Sequence, residues 1–160
     1  MSVVGKPCGL GWSDPRLDRT VAAMTSALGP KTVRLSPNAV SSTYRCDQTQ
    51  LRTDPTQILT ISGQGSLDEH GLLLHEGDVA AQIALTVANL CAVVEMAGMS
   101  LAELAQLRIY VTDIGAGIDV VEALTERLAE ADAVPPATLV EVTALAVPGM
   151  AVAIDAIAVR

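Results

Sequence analysis

The chain has 160 residues, of which 50% are hydrophobic and 18% charged. That is enough apolar material for one packed domain and too much for intrinsic disorder. Its formal net charge is −8, and its 10 Lys and Arg are scattered without a basic run, which argues against nucleic acid as a partner because phosphate binding rests on cationic neutralisation. Aromatic residues make up 2% and Phe is absent, so the core must be built from Ala, Val, Leu and Ile, side chains that suit helices packed closely on a sheet. No N-terminal stretch has the order of a signal peptide, and no apolar run approaches the ~20 uninterrupted residues that span a membrane. Cys8, Cys46 and Cys91 are widely spaced with no CxxC pair, and read as reduced thiols in a cytoplasmic protein. His70 and His75 share no helix or strand face, and no Cys or acid completes a metal set with them. No metal and no cofactor is expected.

Residues 1–35 read as an N-terminal extension. Gly5, Pro7, Gly9 and Gly11 keep its start irregular, and Ser13-Asp14-Pro15 predicts a short helix that ends at Gly29-Pro30. Lys31 to Leu35 is a candidate strand. The single domain is expected over 36–160. Its pattern sharpens at Gln57 to Ser62, a short strand that runs into Gly63-Gln64-Gly65, with Leu72-Leu73-Leu74 as a hairpin return or extended loop. Asp78 is placed to cap a helix in which Ile83, Val87, Leu90, Cys91 and Val94 recur at helical spacing, and Gly98 stands where a left-handed cap closes it. Ser100 and Glu103 have the spacing of a capping box.

Leu107 to Asp113 alternates as a strand, with Leu107, Ile109 and Val111 on one face and Arg108, Tyr110 and Thr112 on the other. Gly115-Ala116-Gly117 reads as a break before a Glu-rich helix over 119–132. Pro135-Pro136 stops that helix, and residues 135–142 and 151–159 predict an antiparallel hairpin around Pro148-Gly149. Glu141 and Asp155 each interrupt an apolar run of this pair. A carboxylate within a buried strand is costly unless paired, so each either faces solvent or lines a pocket. The order strand, strand, helix, strand, helix, strand, strand predicts an α+β domain, one sheet with two helices packed on one face. The other sheet face is apolar enough to favour oligomerisation.

Ile61-Ser62-Gly63-Gln64, Glu95-Met96-Ala97-Gly98, Tyr110-Val111-Thr112-Asp113, Pro135 to Val142 and Ile154 to Val159 together resemble the reactive intermediate deaminase family, the Rid or YjgF-type proteins, over about residues 57–159. The resemblance implies a chorismate-mutase-like fold, assembly as a homotrimer, and ligand clefts between subunits that hydrolyse 2-imino or enamine acids. It also implies an arginine that grips the substrate carboxylate in bidentate fashion, and the corresponding residue here is Ala137. The loss of that contact would remove on the order of several kcal/mol from carboxylate binding, with Arg45, Arg52 or Arg108 as candidate substitutes. The family's cysteine corresponds to Leu139, its asparagine to Gly115, and its water-positioning glutamate to Asp155. Its serine corresponds to Thr138 and its pocket tyrosine to Tyr44. Gly63 is retained as a backbone contact.

The candidate site is therefore Asp155 and Tyr110 for catalysis, with Gly63, Gln64, Tyr44, Ala137, Thr138 and Glu141 around the substrate. Asp155 is a general acid or base, or else an interface carboxylate paired with an arginine. Tyr110 reaches the pocket or lies half-buried against a helix, and Glu141 has a structural role in the trimer as its alternative. Neither glycine-rich stretch is a phosphate loop, and there is no GxSxG elbow. Three functions remain open: a divergent enzyme acting on an imine, enamine or other carbonyl-derived small molecule, as in a specialised biosynthetic route; a non-catalytic binder using the same clefts; and a ribonuclease, which the acidic charge disfavours.

Overall fold

A computed structural model of the chain describes residues 32–35 and 46–160. The helix expected near residues 13–28 lies outside them, as do Tyr44 and Arg45. Strand β1 (Thr32–Leu35) pairs antiparallel with β2 (Thr49–Arg52) as a separate ribbon. The main sheet comprises β3 (Ile58–Gly65), β4 (Leu104–Val111), β5 (Ala137–Glu141) and β6 (Val152–Val159), in the order β3-β6-β4-β5. Helices α1 (Val79–Met96) and α2 (Ile114–Glu130) cover one face.

The alternation of β4 and β6 decides that face. Leu107, Ile109 and Val111, and Val152, Ile154, Ala156 and Ala158, are all buried against Ile83, Val87, Leu90 and Val94 of α1 and Val120 and Leu124 of α2. Among the described residues every buried hydrophobic side chain is aliphatic or Met. Helix α1 has a mean hydropathy of 1.7 over its 18 residues, long and apolar enough to cross a membrane by composition. Its most apolar stripe is spent on this core.

Local signals at α1 hold. Asp78 Oδ1 accepts the Ala81 amide at 3.0 Å, and Gly98 takes φ +70° after the last turn. The Ser100 amide and hydroxyl donate to Glu103 Oε2 at 2.8 and 3.2 Å. At α2 the glycine-rich break is overturned, because Gly115-Ala116-Gly117 forms the first turn. Asp113 Oδ1 accepts the Gly115 amide and Glu141 Oε2 the Ile114 amide, both at 2.7 Å, and two carboxylates at a helix N-terminus oppose its partial positive charge. Gly117 lets the helix lie close: a Cβ there would stand 3.0 Å from Leu139 Cδ2, and that side chain would have to shift.

The antiparallel C-terminal hairpin does not form. β5 runs parallel to β4, and β6 lies on the other side of β4, antiparallel to it and to β3. The α2 crossover delivers β5 parallel to β4, as parallel neighbours require. The turn at Gly149 (φ +82°) exists, but inside a loop over residues 142–151 that carries the chain past β4. Residues 72–74 contribute an isolated Leu67–Leu73 bridge and no full strand.

Two side chains tie distant segments. Gln82, 1% exposed, donates through Nε2 to the carbonyls of His75 and Gly149 at 3.1 and 3.0 Å and accepts the Ala151 amide at 2.8 Å. It thereby fixes the entries to α1 and β6 together. Arg160 pairs with both carboxylate oxygens of Glu103 and donates to the Gly98 carbonyl at 2.7 Å. Its hydrogen bonds, ahead of the Ser100 amide, hold the Glu103 carboxyl down at about 2 from an ordinary 4.5, against the opposing effect of burial.

Gln82→Leu keeps the volume and strips partners from three backbone groups, so urea unfolding should show a loss of about 3 kcal/mol. Glu103 has a folded pKa below its unfolded one, so its stabilisation is complete above about pH 4.5 and drains away as the pH falls towards 2. Urea midpoints at pH 5, 4 and 3 should fall less steeply in Glu103→Gln than in the native chain.

Candidate functional site

The helix-free face of the sheet carries a polar row in an apolar field. Register places Thr138 of β5 beside Arg108 of β4, and Arg108 beside Asp155 of β6. On the far side of Asp155 the β3 ladder breaks between Ile61 and Gln64, so Ser62 and Gly63 together oppose one residue. This is the geometry of a bulge, a device that re-aims backbone at strand edges and sites. Adjacent strands lie ~4.8 Å apart, so the row from Thr138 to Gly63 spans four strands and crosses the sheet. Above it stand Val140, Tyr110 and Ala153, and below it Gln106, Ile157 and Thr60.

Both oxygens of Asp155 are held. Arg108 Nε lies 3.3 Å from Oδ1 and the Tyr110 hydroxyl donates to Oδ2 at 3.1 Å. The side chain of Asp155 is 24% exposed and that of Arg108 46%, so the carboxylate sits low in the face and the guanidinium reaches outward. Among the described residues, Arg108 has no polar partner besides Asp155, through Nε. Tyr110 therefore does not lie against a helix; it is half-buried on the opposite face, oriented by the carboxylate next to it.

Gly63 has nothing within 4 Å of where a Cβ would stand, so its backbone borders open space. The Gln64 amide is turned back on the Ser62 carbonyl at 3.0 Å. Glu141 is exposed at the end of β5 and engaged in capping α2, a role the sequence did not suggest. Arg52 is unlike Arg108. It donates to the carbonyls of Val159, Leu104 and Ala102 and to Gln50 Oε1 at 3.0–3.4 Å, binding the β1–β2 ribbon to the main sheet. Burial, with nearby Arg34 and against the attraction of Glu103, lowers its pKa from the usual arginine value. Its guanidinium is thereby committed to backbone carbonyls and Gln50.

Ala137 opens β5 and is exposed. It faces a separate cleft of about 620 Å3 between α2, the start of β4 and β5, and residues 46–48. Leu107, Ile109, Val121, Leu124, Leu128 and Leu139 form its walls, Pro135 and Pro136 one end, and Gln106 and Thr138 a polar margin. Thr138 thus belongs both to the row and to the cleft, whereas Asp155, Tyr110 and Gly63 do not line the cleft. The cleft was invisible in the sequence, where its lining reads as ordinary core periodicity. Among the described residues no group of three or more His, Cys, Asp or Glu comes together to hold a metal.

Comparison with known proteins gives a consistent relationship. The family profile described as Endoribonuclease L-PSP matches residues 48–160. Among solved structures, a Rid-family protein of unknown function from Yersinia pestis, YyfB, is 24% identical, covers 83% of this chain and 100% of its own, and superposes with a TM-score of 0.71. The Escherichia coli YjgF gene product is 28% identical over 81% of this chain and 98% of its own, with a TM-score of 0.55. Escherichia coli TdcF, solved with bound serine, is 25% identical over 84% and 91%, with a TM-score of 0.58. Curated proteins yield no match. The profile match spans most of the chain and its whole sheet-and-helix unit, and the chain belongs to the Rid or YjgF family, the family described as Endoribonuclease L-PSP.

Proposed function

We propose that the protein is a divergent Rid-family enzyme that acts on an imine, enamine or related carbonyl-derived small molecule, in clefts completed by neighbouring copies of itself in a homotrimer. The observation that carries this reading is the alignment of Thr138, Asp155 and Gly63 in one row on the uncovered face. These residues come from β5, β6 and β3, yet they share an apolar surface suited to burial against another protomer. The family relationship supplies the kind of ligand, and TdcF with its bound serine is a relative that holds a small molecule.

The chemistry follows from Asp155. Arg108 and Tyr110 fix one oxygen each, leaving lone pairs that can accept a proton from water. Water adds to the carbon of C=N as Asp155 takes one of its protons and returns it to the nitrogen, giving a neutral carbinolamine. Asp155 then takes the hydroxyl proton and passes it to the nitrogen as the C–N bond breaks, leaving a carbonyl and an amine or ammonia. The substrate lacks the usual carboxylate, since Ala137 offers it no cation and Arg108, the arginine of the row, is paired with Asp155. The net charge of −8 argues against the RNA that the profile's description evokes. The second reading, a non-catalytic binder, keeps the same surface and dispenses with the proton transfer.

Hydrolysis of 2-imino acids generated by an amino-acid oxidase should not be accelerated by the native chain, whereas Ala137→Arg should gain activity; acceleration by the native chain would overturn the role given to Ala137. Hydrolysis of 1-pyrroline, a carboxylate-free imine, should be accelerated and should fall at least about 100-fold in Asp155→Asn, while sedimentation should give a trimer for both. Native and Asp155→Asn proteins of equal activity would leave the binder.

A further inference from the structure

We infer that the cleft beneath α2 takes the body of an uncharged, largely apolar ligand, whose polar end lies at Gln106 and Thr138. This rests on the small-molecule reading above and names the class of molecule. The volume, about 620 Å3, falls within the ~300–1,000 Å3 of sites that enclose drug-sized ligands. Leu107, Ile109 and Leu124 give it a buried apolar floor. No Lys or Arg lines it among the described residues, and its one charged group, Asp47, is already engaged by Gln50 at 2.9 Å and by Arg34 at 3.4 Å. An anion entering here would lose its hydration and meet a carboxylate that already holds the nearby Arg34, with no lining cation to pair with.

The margin has a different character. The Gln106 amide and the Thr138 hydroxyl form no side-chain hydrogen bond among the described residues, and each can donate and accept. A ketone, imine, amide or alcohol meets both without carrying charge. Thr138 is also the register neighbour of Arg108, so a polar group bound at the margin ends where the row containing Asp155 begins. An apolar body in the cleft would therefore present its functional group to the polar face and leave its chain behind.

Calorimetric titration of the native protein with straight-chain methyl ketones from 2-butanone to 2-octanone reads this directly. Affinity should rise about fourfold per methylene, and 2-oxo acids of equal length should bind more weakly than the ketones. Ala137→Phe and Leu128→Phe, which each place a ring in the cleft, should flatten the dependence on length while circular dichroism shows the fold intact. A flat series in the native protein, tighter binding of the oxo acids, or a length dependence that survives both cleft variants would overturn the inference. Such results alongside Asp155-dependent pyrroline hydrolysis would sink the ligand class alone. A rising series without any such hydrolysis would instead keep the cleft and refute the catalytic reading.

Discussion

Strand β6 has neighbours on both sides, so its backbone is consumed by the ladder and only its side chains are left to meet anything else. Much of the architecture follows from that. Val152, Ile154, Ala156 and Ala158 must be covered, which calls both helices to one side. Ala153, Asp155, Ile157 and Val159 are thereby forced onto the other. The single acid among them cannot escape to an edge, and in a central strand it needs a partner across the ladder. Register supplies Arg108 directly and Tyr110 diagonally, within the reach that cross-strand neighbours have. A half-exposed pair of this kind is worth little in water. Covered by a second protein surface, the same pair would be desolvated, and its geometry would matter more than its stability.

What the sequence made legible tracks the range of the forces involved. Asp78, Gly98 and the Ser100–Glu103 box act within a few residues, and each stands as read. The two-residue alternation of β4 and β6 is equally local, so the faces of Leu107 or Ile154 are clear from sequence alone. Pairing is not local. Strands 137–141 and 152–159 look like one hairpin because both alternate and a Pro-Gly turn stands between them. Nothing in either says that β4 lies between them. The decisive fact is the α2 crossover, whose start was obscured by Gly115 and Gly117, glycines that seemed to break a helix. Gly117 is instead the price of laying α2 close over Leu139.

The site divides in the same way. Family resemblance singled out Asp155, Thr138 and Gly63, and pairing of Asp155 with an arginine was one of two readings. Which arginine it meets depends on register, and register emerged only with the fold. Arg52 and Arg108 are indistinguishable as letters. One is tied into carbonyls from three segments and the other extends from an open face. Glu141 and Gln82 show the reverse case, polar residues whose work is to hold backbone ends that have no other partner.

The two halves of the site also lie on different sides of one sheet. Along β5, Leu139 turns toward α2 and the cleft, and Thr138 toward Arg108 and the open face. A ligand enclosed by the cleft alone therefore lies away from the Asp155 carboxylate, and one resting on the open face alone is uncovered. The edge of β5, where Thr138 touches both, is the place at which the two environments join. Closing that edge from outside needs a further surface, and the apolar side chains around the row, Ile58, Ile157, Val159 and Val140, are suited to receive one. A second copy of the chain would then do two jobs with one contact, burying the uncovered face and walling the passage between cleft and carboxylate. Assembly and ligand recognition are in that case the same physical event, because the surface that drives one also encloses the other.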